Sequence, residues 1–174
     1  MSQSVKSASK SVNRFIMNEL FPNDKEITKS IGVFEATKYL PNGYEWNRDD
    51  VTVVCVGDGV KPRTTALFVH RTAWEGVAID PQLAPRYYDF KRFRMERCRM
   101  EETTLELAGK VLIVLPHSHA KVKDCLDRIK APTRALITMD CCVNNYSNMP
   151  KPDVEYQDAP FWRPINTIRV WREV

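Results

Sequence analysis

Two glycines flanking an acid, Gly57-Asp58-Gly59, interrupt the apolar run at 51–56. A helix-forming stretch, "VKPRTTALFVHRT", follows. A strand, a tight glycine turn and a helix together make a cradle. Glycine allows positive φ and close backbone approach. The start of the next helix offers unpaired N–H groups to an anion or carboxylate. Asp80 ends the next apolar run, "GVAID", about 20 residues on, where an acid can accept both hydroxyls of a ribose. The bland alternative is a plain β-to-α turn with an Asp capping the loop before Pro81. Arg63, just inside the helix, carries a fork that suits a carboxylate or phosphate, or it simply faces solvent. A dinucleotide turn of the form G-x-G-x-x-G is disfavoured, because the sixth position is Pro62, whose ring opposes close helix–strand packing. No G-K-S/T follows for a phosphate loop.

A second set of groups follows the apolar run "KVLIVLP" at 110–116. His117 lies nearest the strand end and His119 two residues beyond. A neutral imidazole there can take a proton from a hydroxyl or amine. With Cys141 and Cys142 the two histidines form a zinc-like donor set. Neighbouring strand positions point to opposite faces, however, and C-x-x-C spacing is absent, so the expectation is no metal. Segment 86–99 interleaves Arg86, Lys91, Arg92, Arg94, Arg97 and Arg99 with Tyr87, Tyr88, Phe90 and Phe93. Such a mixture can track phosphates and stack bases, which makes Arg92 and Arg94 candidate substrate contacts. An edge strand that uses charge to resist pairing has the same composition.

These residues need a scaffold. Apolar runs at 51–56, 76–80, 110–116 and 134–142 read as buried strands. Helical patterns at about 62–70 and 120–129 lie between them. Residues 90–100 read as an edge strand, with a helix as the rival. Alternation of this kind argues a mostly parallel sheet covered on both faces. Two extended pieces near 153–158 and 166–172, linked by "APFWRPIN", close the chain as an antiparallel hairpin. Trp74 and Trp171 are expected in the core, and Trp162 in the hairpin turn. A helix is expected over 11–21 and a turn at "PNGY", 41–44. Residues 1–49 then form an N-terminal helical extension and residues 50–174 the sheet domain.

Composition narrows the class. The chain has 174 residues, which suits one domain. Its apolar runs are too short for a membrane span. Five scattered cysteines, an odd number, suggest reduced thiols and a cytoplasmic setting. Net charge of +4 permits a nucleic-acid partner without demanding one. Lys6, Lys10 and Arg14 with no acid before Glu19 leave a targeting sequence open beside a mobile polar tail.

With these motifs quoted, the chain resembles the class I S-adenosylmethionine-dependent methyltransferases over about residues 50–174. "VVCVGDG" looks like the family's first motif and "VAIDP" like the strand bearing the ribose-binding acid. "VLIVLPHSHA" stands in the place of the fourth-strand motif, and "ALITMDCC" looks like the fifth strand. The resemblance implies a Rossmann-like α/β fold with helices on both faces and a C-terminal antiparallel hairpin. It implies S-adenosylmethionine as cofactor, with Gly57, Asp58 and Gly59 at its methionine end, Asp80 on its ribose and His117 near the transferred methyl. "HSHA" with a strand ending in two cysteines is also similar to a group of RNA-modifying and methyltransferase-like proteins, which makes RNA or another nucleotide an expected substrate. Lys61 replaces the third turn glycine, and Leu115-Pro116-His117-Ser118 replaces the signature of amino-group methyltransferases. The rival expectation is therefore a relative that binds a partner and has lost catalysis.

Overall fold

The computed structural model describes residues 20, 24–41, 46, 50–85, 91–140, 146, 148–158 and 167–174. In chain order the elements are α1 (Asp24–Glu35), β1 (Val51–Val56), α2 (Arg63–Arg71), β2 (Glu75–Ile79), β3 (Phe93–Glu96), β4 (Leu105–Glu106), β5 (Lys110–Pro116), α3 (Val122–Arg128), β6 (Ile129–Lys130), β7 (Thr133–Met139), β8 (Val154–Gln157) and β9 (Thr167–Trp171).

All six residues of β1 are buried. A strand of Val and Cys with a single Thr has no solvent face and must be central. It pairs in parallel with β2 on one side and β5 on the other. The seven-stranded sheet runs β3-β2-β1-β5-β7-β9-β8, and β9 is antiparallel to both of its neighbours. The chain thus winds outward from β1 in one direction, returns to β5 and continues in the other. This is a Rossmann-like, methyltransferase-type sheet, as the resemblance implies. A separate two-residue ladder joins β4 to β6.

Successive side chains of each strand feed opposite cores. Val51, Val53, Cys55, Leu112, Val114, Ala135 and Ile137 share one core with Phe68 of α2 and with Val33 and Ala36 at the end of α1 and just beyond it. Val54, Val56, Val111, Ile113 and Leu115 share the other with Val122 and Cys125 of α3. Helices therefore cover both faces. Trp74 and Trp171 are buried, 3% and 2% exposed, as expected.

Several boundaries differ from expectation. β2 ends at Ile79, so Asp80 lies in the following turn. The helix expected over 120–129 is α3, and its last expected residue, Ile129, belongs instead to the β4–β6 ladder. β7 ends at Met139, leaving Asp140 just past the strand. The edge strand within 90–100 is only β3, followed by a 3-10 turn at Met100–Glu102. Helix α1 lies within the expected N-terminal helical extension, but no helix was expected at these particular residues. Its polar sequence, "DKEITKSIGVFE", hides the short apolar stripe that docks on the sheet. The helix expected at 11–21, apart from Leu20, lies outside the described residues. So do most of the "PNGY" turn, Arg86 to Phe90, Cys141, Cys142 and Trp162.

Candidate functional site

In an open sheet of this kind ligands collect at the carboxyl ends of the strands, where the winding direction reverses. That point lies between β1 and β5, and a cleft of about 550 Å³ opens there. Its wall is built from four strand ends: Val56 and Gly57 after β1, Ile79 to Gln82 after β2, Cys98 to Glu101 after β3, and His117 to Ala120 after β5. The volume suits a cofactor-sized ligand.

Both turn glycines have positive φ, 77° at Gly57 and 78° at Gly59. They do different work. A Cβ on Gly57 would lie 2.2 Å from Ser118 Oγ, whereas one on Gly59 would meet nothing within 4 Å. Gly57 therefore lets the β1 and β5 ends close on each other, and Gly59 makes a turn with free space beside it. Asp80 ties the turn to β2. Its Oδ2 accepts the Gly59 amide at 2.9 Å and its Oδ1 accepts the Gln82 amide at 2.7 Å. The loop-capping alternative is thus realised. Each carboxylate oxygen still has acceptor capacity on the cleft side, because an ionised carboxylate offers about four lone-pair positions.

Asp58 requires a correction. Expected at a ligand, it is 8% exposed and is not part of the cleft wall. Its carboxylate caps α2, accepting the Thr64 amide at 2.9 Å, the Thr65 amide at 2.8 Å and the Thr65 hydroxyl at 2.8 Å. The side chain turns inward because the first amides of α2 need acceptors and Pro62, at the cap position, makes no side-chain cap bond. Burial outweighs these donors and pushes the carboxyl up to about 6 from 3.8. The stabilising contribution is fully present below 3.8, where folded and unfolded chains both hold the proton. It is lost as pH rises through about 6, where the folded chain must ionise a buried group. The shift corresponds to about 3 kcal/mol. The unfolding free energy of the wild type minus that of Asp58→Asn should fall by about this amount as the pH is raised from about 4 to 7 in denaturant titrations. A flat difference would refute this reading of Asp58.

His117 follows β5 with φ of 64° and lines the cleft. Its Nδ1 lies 2.6 Å from the carbonyl oxygen of Asp140. A carbonyl can only accept, so Nδ1 is the donor in this bond, and in the neutral ring Nε2 is then the nitrogen that holds the lone pair. Ser118 beside it is 3% exposed and accepts the Ala120 amide at 3.1 Å, which sets the turn into α3. Among the described residues no group of three His, Cys, Asp or Glu side chains is arranged for a metal.

The arginines are redistributed. Arg63 is not part of the cleft wall, and its Nε donates to the Leu20 carbonyl, tying the preceding chain to α2. Arg92 precedes β3 at the opposite end of the sheet, where its carbonyl accepts the Gly76 amide. Its guanidinium donates to the carbonyls of Trp74, Val69 and Thr72 at 3.1, 3.0 and 3.2 Å, closing the carboxyl end of α2. A cation suits a helix C-terminus, so Arg92 holds the fold together here and is not part of the cleft wall. Arg94 pairs with Glu96 at 2.7 Å on the exposed edge. The basic side chains at the carboxyl end of β3 are Arg97 and Arg99, and Arg99 lines the cleft. Both belong to the basic segment read from the sequence. Composition alone could not show which end of a short strand each would occupy.

No family model matches the chain, and no curated protein matches it. Among solved structures, coclaurine N-methyltransferase bound to N-methylheliamine and S-adenosylhomocysteine superposes with a TM-score of 0.45 at 11% identity. The match covers 87% of this chain and 48% of that one, so the chain spans about half of that enzyme's length.

Proposed function

We propose that the protein is an S-adenosylmethionine-dependent methyltransferase acting on RNA or another nucleotide-containing substrate. The observation that carries this reading is Asp80, a carboxylate at the β2 end, fixed by two backbone amides and lining a cleft at the winding reversal. The cleft fits the cofactor in volume and in the acceptor capacity left on Asp80, which lines it. When bound, the cofactor supplies a methyl group activated on a sulfonium. Asp80 accepts the ribose hydroxyls. His117 presents Nε2 as the group that takes the proton from the acceptor hydroxyl or amine. Little else is required of the side chains, since direct displacement depends chiefly on alignment. Arg97 and Arg99, beside the β3 end, supply positive charge for a phosphate-bearing substrate. The free thiols of Cys55, Cys98 and Cys125 go with a reducing, cytoplasmic setting. No helix among the described residues is long and apolar enough to cross a membrane.

S-adenosylhomocysteine at 100 times its Kd should stabilise the chain by about 2.7 kcal/mol, which raises Tm by roughly 5 °C or more. No shift at millimolar ligand, with the protein shown to be folded, removes the cofactor assignment. A larger shift with NAD or ATP assigns another nucleotide to the same cleft. The second reading, a binding module without catalysis, draws on Lys61 in the turn and on the protein's own amides that Asp58 and Asp80 accept. It is the reading that a folded but unresponsive protein would support.

A further inference from the structure

A polar network lies behind His117, at the carboxyl end of β7. Asp140 is held from several sides. Its amide donates to the Thr167 carbonyl at 3.0 Å. Its Oδ1 accepts the Tyr146 hydroxyl at 2.6 Å and an Nη1 hydrogen of Arg169. Its carbonyl accepts the His117 ring N–H at 2.6 Å. Arg169 is fixed in turn: its Nε donates to Glu155 at 2.6 Å, and its guanidinium lies 4.3 Å from the centre of the Tyr146 ring. The side chains of Arg169 and Asp140 are only 13% and 15% exposed, so removing Arg169 leaves the Asp140 carboxylate with a poorly compensated charge. Burial, and then the bond to Asp140, push the Tyr146 phenol up to about 12, which keeps it a donor.

Topology explains how the group assembles. Pairing of β7 with β9 sets Thr138 opposite Arg169, and pairing of β8 with β9 sets Glu155 opposite the same residue. On the other side, β5 pairs Pro116 with Met139. The residues just past those two, His117 and Asp140, therefore meet. Asp140, Tyr146, Glu155 and Arg169 are not part of the cleft wall. Their route to it is the Asp140 carbonyl.

We propose that Asp140, Arg169 and Tyr146 are positioning residues for His117. They pin the Asp140 carbonyl so that Nδ1 holds the proton and Nε2 is the basic nitrogen offered to the methyl acceptor. The hydrogen bond made by one ring nitrogen sets the state of the other. The role of Nε2 rests on the methyltransferase reading above, whereas the tautomer itself requires no ligand.

The test is long-range proton–nitrogen correlation NMR on the full chain, with His117→Gln identifying its ring among the three histidines. In alkaline buffer, where imidazole is neutral, Nε2 of wild-type His117 should resonate as an unprotonated nitrogen and Nδ1 as a protonated one. In Arg169→Leu both signals should move toward the averaged positions of an unconstrained ring. Arg169→Lys, which retains the charge, should recover part of the difference. If Arg169→Leu does not fold, Tyr146→Phe should show a smaller shift in the same direction. Unchanged ring signals in folded Arg169→Leu, or in Tyr146→Phe where the former fails to fold, overturn the proposal. Calorimetry with S-adenosylhomocysteine on the same samples keeps the two ideas apart. A wild type that fails to bind removes the methyltransferase reading, while the positioning claim stands or falls on the ring spectra.

Discussion

Gly57→Ala is expected to cost about 2–5 kcal/mol of folding free energy, and Gly59→Ala only about 1–2. A left-handed backbone conformation costs an L-residue roughly 1–2 kcal/mol, and both positions incur that cost. Gly57 has a second problem. The added Cβ would sit 2.2 Å from Ser118 Oγ, 2.7 Å from its Cβ and 3.2 Å from its Cα. The side chain of Ser118 could rotate, but its backbone is anchored in the turn that leads into α3. Overpacking of this sort adds about 1–3 kcal/mol. Denaturant unfolding of both variants provides the comparison. Ser118→Gly in the Gly57→Ala background should recover the steric part and leave the conformational part, as a double-mutant cycle would resolve. Equal losses at the two glycines, or no recovery, would show that the approach of β5 to the turn is not what requires Gly57.

Asp80→Ala should lower S-adenosylhomocysteine affinity at least 100-fold and also destabilise the unliganded protein. A hydrogen bond to a charged acceptor contributes about 1.5–3 kcal/mol, and two ribose hydroxyls are at stake. The cost without ligand arises because the amides of Gly59 and Gln82 both lose their acceptor. Each unsatisfied amide costs about 1–3 kcal/mol where buried, and less where water can reach it. Asp80→Asn keeps one acceptor oxygen but turns an NH₂ toward one of those amides. It should weaken the ligand about tenfold or more and lie between wild type and alanine in stability. Calorimetry and unfolding on both variants supply the two numbers. Unchanged affinity in folded Asp80→Ala rejects the ribose assignment, and unchanged unliganded stability contradicts the tie between the turn and β2.

Much of the frame was legible from local pattern. Buried runs such as "VTVVCV" and "KVLIVLP" have no polar face, so they mark central parallel strands wherever the chain later takes them. Glycines at a strand end, with an acid closing the next strand, locate a carboxyl-end cleft by chain geometry alone, and Gly57, Asp80 and His117 do line it. Helix α1 was not legible, because a short apolar stripe in a polar helix becomes informative only when the surface it covers is known. The directions of side chains were equally hidden. Asp58 sits between two glycines and could point to a ligand or to the helix. The unsatisfied amides of α2 turn it inward.

The sequence by itself determined which segments are the central buried strands, where the tight turn falls and which acid follows it, since hydrophobic periodicity and backbone freedom are local properties. Tertiary structure alone decided the tasks of these residues. Arg92 lies at the far end of the sheet because β3 runs parallel to β2, and its charge closes α2. Gly57 is required by Ser118, about sixty residues later in the chain, because β1 and β5 are neighbours. His117 Nδ1 meets the Asp140 carbonyl because β5 pairs with β7, and Arg169 meets the Asp140 carboxylate because β9 pairs antiparallel to β7. Each of these depends on a pairing between distant strands, and no window of sequence contains both partners.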